Sequence, residues 1–399
     1  MVQERQVLDG NGAAALGAKL SRVQVISAYP VTPQSQIAEI LAEYVKNKEL
    51  NAEYIRIESE HSAMSSVIGA SLTGVRAFTA TASVGLALMH EVLMVASGCR
   101  APIVMPVVNR SLVAPWNLWC DHSDTMCERD SGWIQLYAQS CQEALDLVIM
   151  AYRIAEDIRI LLPAMVCIDG FFLSHISETV LVPEQEKVDS YLPPFQPHNL
   201  FLDVDNPMVI NNLTPPDRFS KIRYQQNEAF GRVPEVFNEA AAAFAEAFGR
   251  KYDLIESYKC EDAEAVIIAM GSMTGTAKAA VDALREQGRK IGLLRILCFR
   301  PFPEKQLKEA LSRVKAVAVV DRSVSLGTGK GQVATEIGAL LNTMPEAPAM
   351  LSFVTGLGGL DVTTAHFNRV ADMLAQIDSI DRTSAIWLDE EMEGVEQNG

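Results

Sequence analysis

Four groups of polar residues in the N-terminal half have types and spacing that suit a binding site. Thr32 lies in Ala28-Tyr29-Pro30-Val31-Thr32-Pro33, a loop pinned by two prolines, after the apolar run 23–27 and before a helix-like run over 34–46. This puts a hydroxyl at the carboxyl end of a buried strand, where open α/β sheets keep their ligands. The plainer alternative is a pair of prolines that only ends a strand and starts a helix. Glu58 and Glu60, in Glu58-Ser59-Glu60-His61, stand between a candidate strand and a candidate helix. A carboxylate there either points into the ligand crevice or serves the helix as a cap. Arg110 follows the apolar run 103–108, and at a strand's carboxyl end an arginine fork suits a carboxylate, the alternative being a surface ion pair. In the long connection Ala114-Pro115-Trp116-Asn117-Leu118-Trp119-Cys120-Asp121-His122-Ser123-Asp124, two tryptophans meet two acids and a histidine, a mixture that marks functional or partner-facing loops. His122 is either an acid-base group or a hydrogen-bonded structural histidine.

These groups require a scaffold of strands and helices in alternation. Extended runs are expected at 23–27, 54–57, 77–81, 103–108 and 165–168, and helices at 12–20, 34–46, 60–73, 85–97 and 142–156. Near-continuous apolar strands such as Ile103-Val104-Met105-Pro106-Val107-Val108 are what a parallel sheet covered on both faces requires. The first unit, 1–176, is therefore expected to be a doubly wound α/β domain. From 177 to 260 the chain is rich in proline and is expected to form an extended arm followed by a connecting helix at 235–251. A second, smaller α/β domain is expected over 261–383, with strands at 265–270, 291–297 and 316–320. The loop Gly327-Thr328-Gly329-Lys330-Gly331 lacks P-loop spacing and reads as a turn before a helix. Gly356-Leu357-Gly358-Gly359 carries no specific signal alone, and 384–399 reads as a frayed acidic tail.

Composition removes several classes of function. The 399 residues carry 34 Lys plus Arg against 50 Asp plus Glu, a net charge of -16, with no basic run that could follow a phosphate backbone. Nucleic acid is excluded as a partner on this reading. No apolar stretch approaches the ~20 residues of a bilayer span, and the polar N-terminus does not resemble a signal peptide, so a cytoplasmic protein without membrane contact is expected. The 7 cysteines contain no C-x-x-C pair and read as reduced thiols.

Taken in order, Tyr29-Pro30-Val31-Thr32-Pro33, Glu58-Ser59-Glu60-His61-Ser62-Ala63, Thr79-Ala80-Thr81-Ala82-Ser83-Val84-Gly85-Leu86, Asn109-Arg110-Ser111-Leu112 and Asp121-His122-Ser123-Asp124 resemble the α subunit of pyruvate:ferredoxin oxidoreductase, within the 2-oxoacid:ferredoxin oxidoreductase family. Gly271-Ser272, Phe299-Arg300-Pro301-Phe302-Pro303 and Val320-Asp321-Arg322 extend the resemblance over nearly the whole chain. The resemblance implies a pyrimidine-binding half of a thiamine diphosphate site, followed by a domain like the C-terminal domain of transketolase. It implies that Glu60 hydrogen-bonds the cofactor's pyrimidine, with Tyr29 and Pro30 beside it, stabilising the imino tautomer that removes the thiazolium proton. Thr32 and Arg110 match the positions that would hold the substrate carboxylate. Together Glu60, Arg110 and Thr32 form the expected catalytic set, with no metal ligand.

There is no Gly-Asp-Gly with a distant Asn to hold the diphosphate and its Mg2+; Asp169-Gly170 occurs within Ile168-Asp169-Gly170-Phe171. Nor is there a ferredoxin-type cysteine series for [4Fe-4S] clusters. The resemblance therefore implies partner subunits: a β subunit for diphosphate and Mg2+, a ferredoxin-like δ subunit and a γ subunit. Coenzyme A would take the acyl group and ferredoxin the electrons, the chain alone being inactive. Pyruvate is the expected substrate; oxalate, 2-oxoglutarate and branched-chain 2-oxoacids, or a non-catalytic scaffold role, are the alternatives.

Overall fold

Two parallel sheets are joined at one end of each. The computed structural model describes residues 4–197 and 201–389. The larger sheet has seven strands in the order Cys298–Arg300, Ile134–Tyr137, Ala164–Asp169, Val104–Asn109, Ala77–Phe78, Val25–Ser27 and Glu53–Ile55, all parallel except the first. The expected doubly wound sheet is therefore present. Its central strands Val104–Asn109 and Ala164–Asp169 are buried at every residue. Side chains alternate between two apolar layers: Val104, Val108, Val166 and Ile168 face one, and Met105, Val107, Met165 and Cys167 the other.

The smaller sheet runs Ile386–Trp387, Ala349–Val354, Ala316–Asp321, Ala265–Ala269, Ile291–Ile296 and Ile255–Tyr258, parallel except at the last strand. One apolar cluster is common to both sheets, joining Met105, Trp133 and Tyr137 to Val266, Leu294 and Val317. Crossing this junction, Arg295 of the second sheet meets Glu143 of the first unit (Nη1 to Oε1 2.9 Å, with Nη2 also bonded to the carboxylate) and donates to Tyr137 O at 3.0 Å. A buried pair of this kind is costly to break on one side, so it holds the two sheets in a single relation.

Several expectations are corrected. Strand Ile134–Tyr137 completes the first sheet, although its four residues include a buried Gln135 that breaks the apolar run. The helix expected at 85–97 is divided into Ser83–Leu88 and His90–Gly98. The arm contains strand Glu178–Val182, paired antiparallel with Glu4–Leu8, and helix Gln185–Tyr191. The connecting helix runs Pro216–Phe248, far longer than 235–251. Its missing half has Pro at the first helical position, where proline fits, and ten exposed residues, 216–225, that carry no burial rhythm. Ile386–Trp387 adds a strand where a frayed tail was expected; residues 390–399 of that tail lie outside the described residues. No helix among the described residues is long and apolar enough to cross a membrane.

Candidate functional site

The carboxyl ends of strands Val25–Ser27, Glu53–Ile55, Ala77–Phe78 and Val104–Asn109 open on one edge, where the chain passes from one side of Val25–Ser27 to the other. That reversal is the usual ligand crevice of a doubly wound sheet. Glu60 is the first residue of helix Glu60–Leu72 at this edge. The helix is capped by Ser59, whose hydroxyl accepts from Ser62 N at 3.2 Å, while Glu58 accepts from the Ser62 hydroxyl on the exposed side. Capping thus falls to Ser59, which leaves Glu60 with no such duty. Its side chain is buried, and among the described residues its carboxylate makes no hydrogen bond or ion pair.

Gly85 of helix Ser83–Leu88 faces this carboxylate. A Cβ on Gly85 would stand 2.6 Å from Glu60 Oε1 and 2.5 Å from Thr81 Oγ1, so only glycine permits the approach. The hydroxyls of Thr81, Thr79 and Ser27, at the ends of two neighbouring strands, are also buried without partners among the described residues. Unsatisfied buried polar groups are uncommon, and their concentration at one strand edge marks a place built for something besides packing.

Arg110 follows strand Val104–Asn109 and is buried. Its Nη1 donates to Thr32 O and its Nε to Asn117 O, each at 3.0 Å. The surface ion pair is ruled out, since Arg110 pairs with no acid among the described residues. The fork is also not free on both arms: two N–H groups hold carbonyls, and among the described residues Nη2 makes no hydrogen bond. Burial lowers the pKa of this guanidinium below its ordinary value, with the Asp124 charge opposing. Thr32 is brought to Arg110 through its backbone carbonyl, and its side chain is exposed together with Tyr29 and Pro30.

Asp124, which sequence reasoning did not single out, ties these parts together. One oxygen accepts from Ser83 N and Arg110 N, both at 3.0 Å, and the other from Asn109 Nδ2 and Thr125 N, both at 2.8 Å. Burial pushes its pKa up to about 6 against these four donors. Through Ser83 and Arg110 it fixes the Gly85 helix, and hence the Glu60 side, relative to the arginine. Its four donors are invisible in sequence because three come from outside its own helix.

His122 is structural. Its Nε2 meets Asp169 Oδ1 at 2.9 Å and its backbone N donates to Arg322 O. Asp169 also accepts from Ser272 N, the Ser272 hydroxyl and Arg322 Nη1. Burial raises its pKa, but His122 and Arg322 more than offset this and hold the carboxyl well below the usual range. Asp169-Gly170 thus fastens the two sheets together at their carboxyl ends.

The two family models that match the chain agree on one family. Residues 16–242 match the family described as pyruvate flavodoxin/ferredoxin oxidoreductase, thiamine diP-bdg, and residues 263–367 match pyruvate:ferredoxin oxidoreductase core domain II. The pyruvate synthase subunit PorA of Methanothermobacter thermautotrophicus is 48% identical over 92% of this chain and 94% of its own length. PorA of Methanocaldococcus jannaschii is 46% identical over 96% and 98%. The ketoisovalerate oxidoreductase subunit VorA of Pyrococcus horikoshii is 44% identical over 94% of each chain. Among solved structures, the 2-oxoglutarate:ferredoxin oxidoreductase of Magnetococcus marinus superposes with a TM-score of 0.74 at 20% identity, covering 93% of this chain and 66% of that one. A split-gene transketolase, the inactive beta4 tetramer, gives 0.54 at 12% identity over 91% and 97%. At these identities the two structures speak for the fold.

Proposed function

The chain belongs to the pyruvate:ferredoxin oxidoreductase family, and on that premise we propose that it is the α subunit of a thiamine-diphosphate-dependent oxidoreductase acting on pyruvate. Glu60 holds the cofactor's pyrimidine beside Tyr29 and Pro30, and Thr32 with Arg110 holds the substrate carboxylate. The observation that carries this reading is the Glu60 carboxylate, buried, unpaired among the described residues and faced by a glycine. An acceptor left open in that way fits a ring N–H brought by a ligand.

When bound, thiamine diphosphate supplies the carbon centre that adds to a 2-oxo group and receives the electrons released on decarboxylation. The chain's own residues act around it. Glu60 accepts the pyrimidine N–H in a buried setting, where the interaction is stronger than in water. Arg110, already held by two carbonyls, offers Nη2 to the substrate with little further ordering, and the Thr32 hydroxyl adds a donor. Partner subunits carry the diphosphate half with Mg2+ and the [4Fe-4S] clusters, coenzyme A accepts the acyl group, and ferredoxin takes the electrons. The complex works in the cytoplasm.

The test is the complex assembled with its partner subunits, assayed for viologen reduction that requires both pyruvate and coenzyme A. Glu60→Gln is expected to lower kcat by about 10²–10⁴-fold with assembly intact. Unchanged activity would point instead to a scaffold subunit that keeps the fold without completing a site. Because a relative named for ketoisovalerate is 44% identical, the same assay compares the two 2-oxoacids. A higher kcat/KM for ketoisovalerate would correct the substrate and leave the role of Glu60 standing.

A further inference from the structure

The second α/β unit supplies none of Glu60, Arg110 or Thr32, yet one of its loops reaches the arginine through a single side chain. Gly356-Leu357-Gly358-Gly359 leaves the end of strand Ala349–Val354 with φ of 73°, 58° and 87° at its three glycines, a path only glycine follows readily. It lies directly against the connection after Arg110. A Cβ on Gly358 would come 2.7 Å from Asn117 Nδ2, and one on Gly359 would come 2.2 Å from Trp119 Cβ. Gly359 N donates to Cys120 O at 2.8 Å and Gly358 N to Asp121 Oδ2 at 3.3 Å.

Asn117 is bound on every side. Its Nδ2 donates to Gly358 O at 3.1 Å, and its Oδ1 accepts from the Ser111 hydroxyl at 2.8 Å and from Trp119 N at 2.7 Å. Its own carbonyl accepts from Arg110 Nε. The chain of contacts therefore runs from the glycine loop to Asn117, from Asn117 to the guanidinium, and from the guanidinium to the Thr32 carbonyl.

We infer that Asn117 is a positioning residue for the substrate carboxylate, and that the second α/β unit takes part in 2-oxoacid binding by setting Arg110 through the Gly356–Gly359 loop. The inference rests on the assignment of Arg110 to the substrate in the proposed function. It gives a role to a loop and a domain that otherwise only pack. Asn117→Asp separates the parts: the remaining oxygen still accepts from Ser111 and Trp119, while the donor to Gly358 O is replaced by an oxygen facing an oxygen.

The experiment uses the assembled complex, measuring kcat and KM for pyruvate together with the Kd for thiamine diphosphate by tryptophan fluorescence. Asn117→Asp is expected to raise KM about tenfold or more, with kcat and the cofactor Kd within about threefold of wild type. Gly358→Ala should act in the same direction, and Asn117→Ala/Gly358→Ala should be no worse than the poorer single variant, since both changes break one link. Gly338→Ala, in a helix of the same unit where the added Cβ would meet only Met350 Cε at 3.6 Å, should leave all three constants alone. An unchanged KM in Asn117→Asp overturns the inference, as does an equal loss of cofactor affinity or additive effects in the double variant. If Asn117→Asp does not assemble, Gly358→Ala decides by the same KM criterion. A wild-type complex with no 2-oxoacid activity would remove the functional reading itself, an outcome distinct from an active wild type with an indifferent Asn117→Asp.

Discussion

Gly85→Ala is the sharpest probe of the Glu60 pocket. Gly85 sits inside helix Ser83–Leu88 with ordinary helical backbone, so alanine brings no backbone strain and a helix-propensity gain of about 1 kcal/mol. The cost lies in space. The new Cβ would meet Thr81 Oγ1 at 2.5 Å, Glu60 Oε1 at 2.6 Å and Glu60 Cγ at 2.9 Å. The Thr81 backbone is tied to the neighbouring strand by its N–H to Pro106 O and its carbonyl to Val108 N, so its short side chain can move only by rotation about χ1, whereas among the described residues no hydrogen bond holds the carboxylate at the end of the longer Glu60 side chain. Glu60 is the group that yields, by roughly 0.5–1 Å to restore ordinary contact distances. Overpacking costs ~1–3 kcal/mol, so net stability should fall by no more than about 2 kcal/mol, a few degrees in Tm. A catalytic group displaced by ~1 Å costs about 10²-fold in rate, close to 2.7 kcal/mol of barrier. The assay pairs thermal unfolding with 2-oxoacid-dependent viologen reduction by the assembled complex. Gly69→Ala is the control, on helix Glu60–Leu72 where an added Cβ meets nothing within 4 Å. It should hold activity and gain slightly in stability. A folded Gly85→Ala complex with activity within twofold of wild type would refute the placement of Glu60 in the reaction.

Asp124→Asn preserves shape but turns an N–H toward two donors whichever way the amide lies, since both carboxylate oxygens accept only from N–H groups. Denaturant unfolding should show a loss of ~2–4 kcal/mol, and a loss under 1 kcal/mol would contradict the four-donor account. A pH effect follows from burial of Asp124, raised to about 6, and of Asp321, raised to about 7 while accepting from Val333 N and Ala334 N. In the unfolded chain both ionise near pH 4, so between about 4 and 7 the native state binds more protons than the unfolded one, and its stability falls as pH rises. Each group contributes up to about 1.4 kcal/mol per pH unit across its own window, and the trend ends above about 7. Asp169, held low, works in the opposite sense: its contribution is present above the unfolded value near 4 and is lost as pH falls below it. Asp321→Asn should remove the Asp321 part, so its stability relative to wild type must rise between pH 5 and pH 7.5; a constant difference would contradict the assignment.

The sequence by itself determined the local structure and most of the chemical inventory. Continuous apolar runs such as 103–108 specify strands buried on both faces, and a Pro-pinned loop and a helix-like run starting at Glu60 place Thr32 and Glu60 at the carboxyl edge, because these signals act over a few neighbouring residues. It also supplied every motif on which the family resemblance rests. It left Glu58 and Glu60 equivalent as cap or ligand, and Arg110 as fork or surface ion. Tertiary structure decided these: Ser59 does the capping, Glu60 is buried against Gly85, and Arg110 holds carbonyls of Thr32 and Asn117. The exposed first half of helix Pro216–Phe248 escaped because periodicity records burial, and that half buries almost nothing. Asp124 escaped because two of its donors, Ser83 and Arg110, stand 41 and 14 residues away, and the contact of Asn117 with Gly358 spans 241. Hydrogen-bond satisfaction and close approach are properties of which segments meet, and no local pattern encodes the meeting; only tertiary packing, around the edge of the first sheet and between the two sheets, produces it.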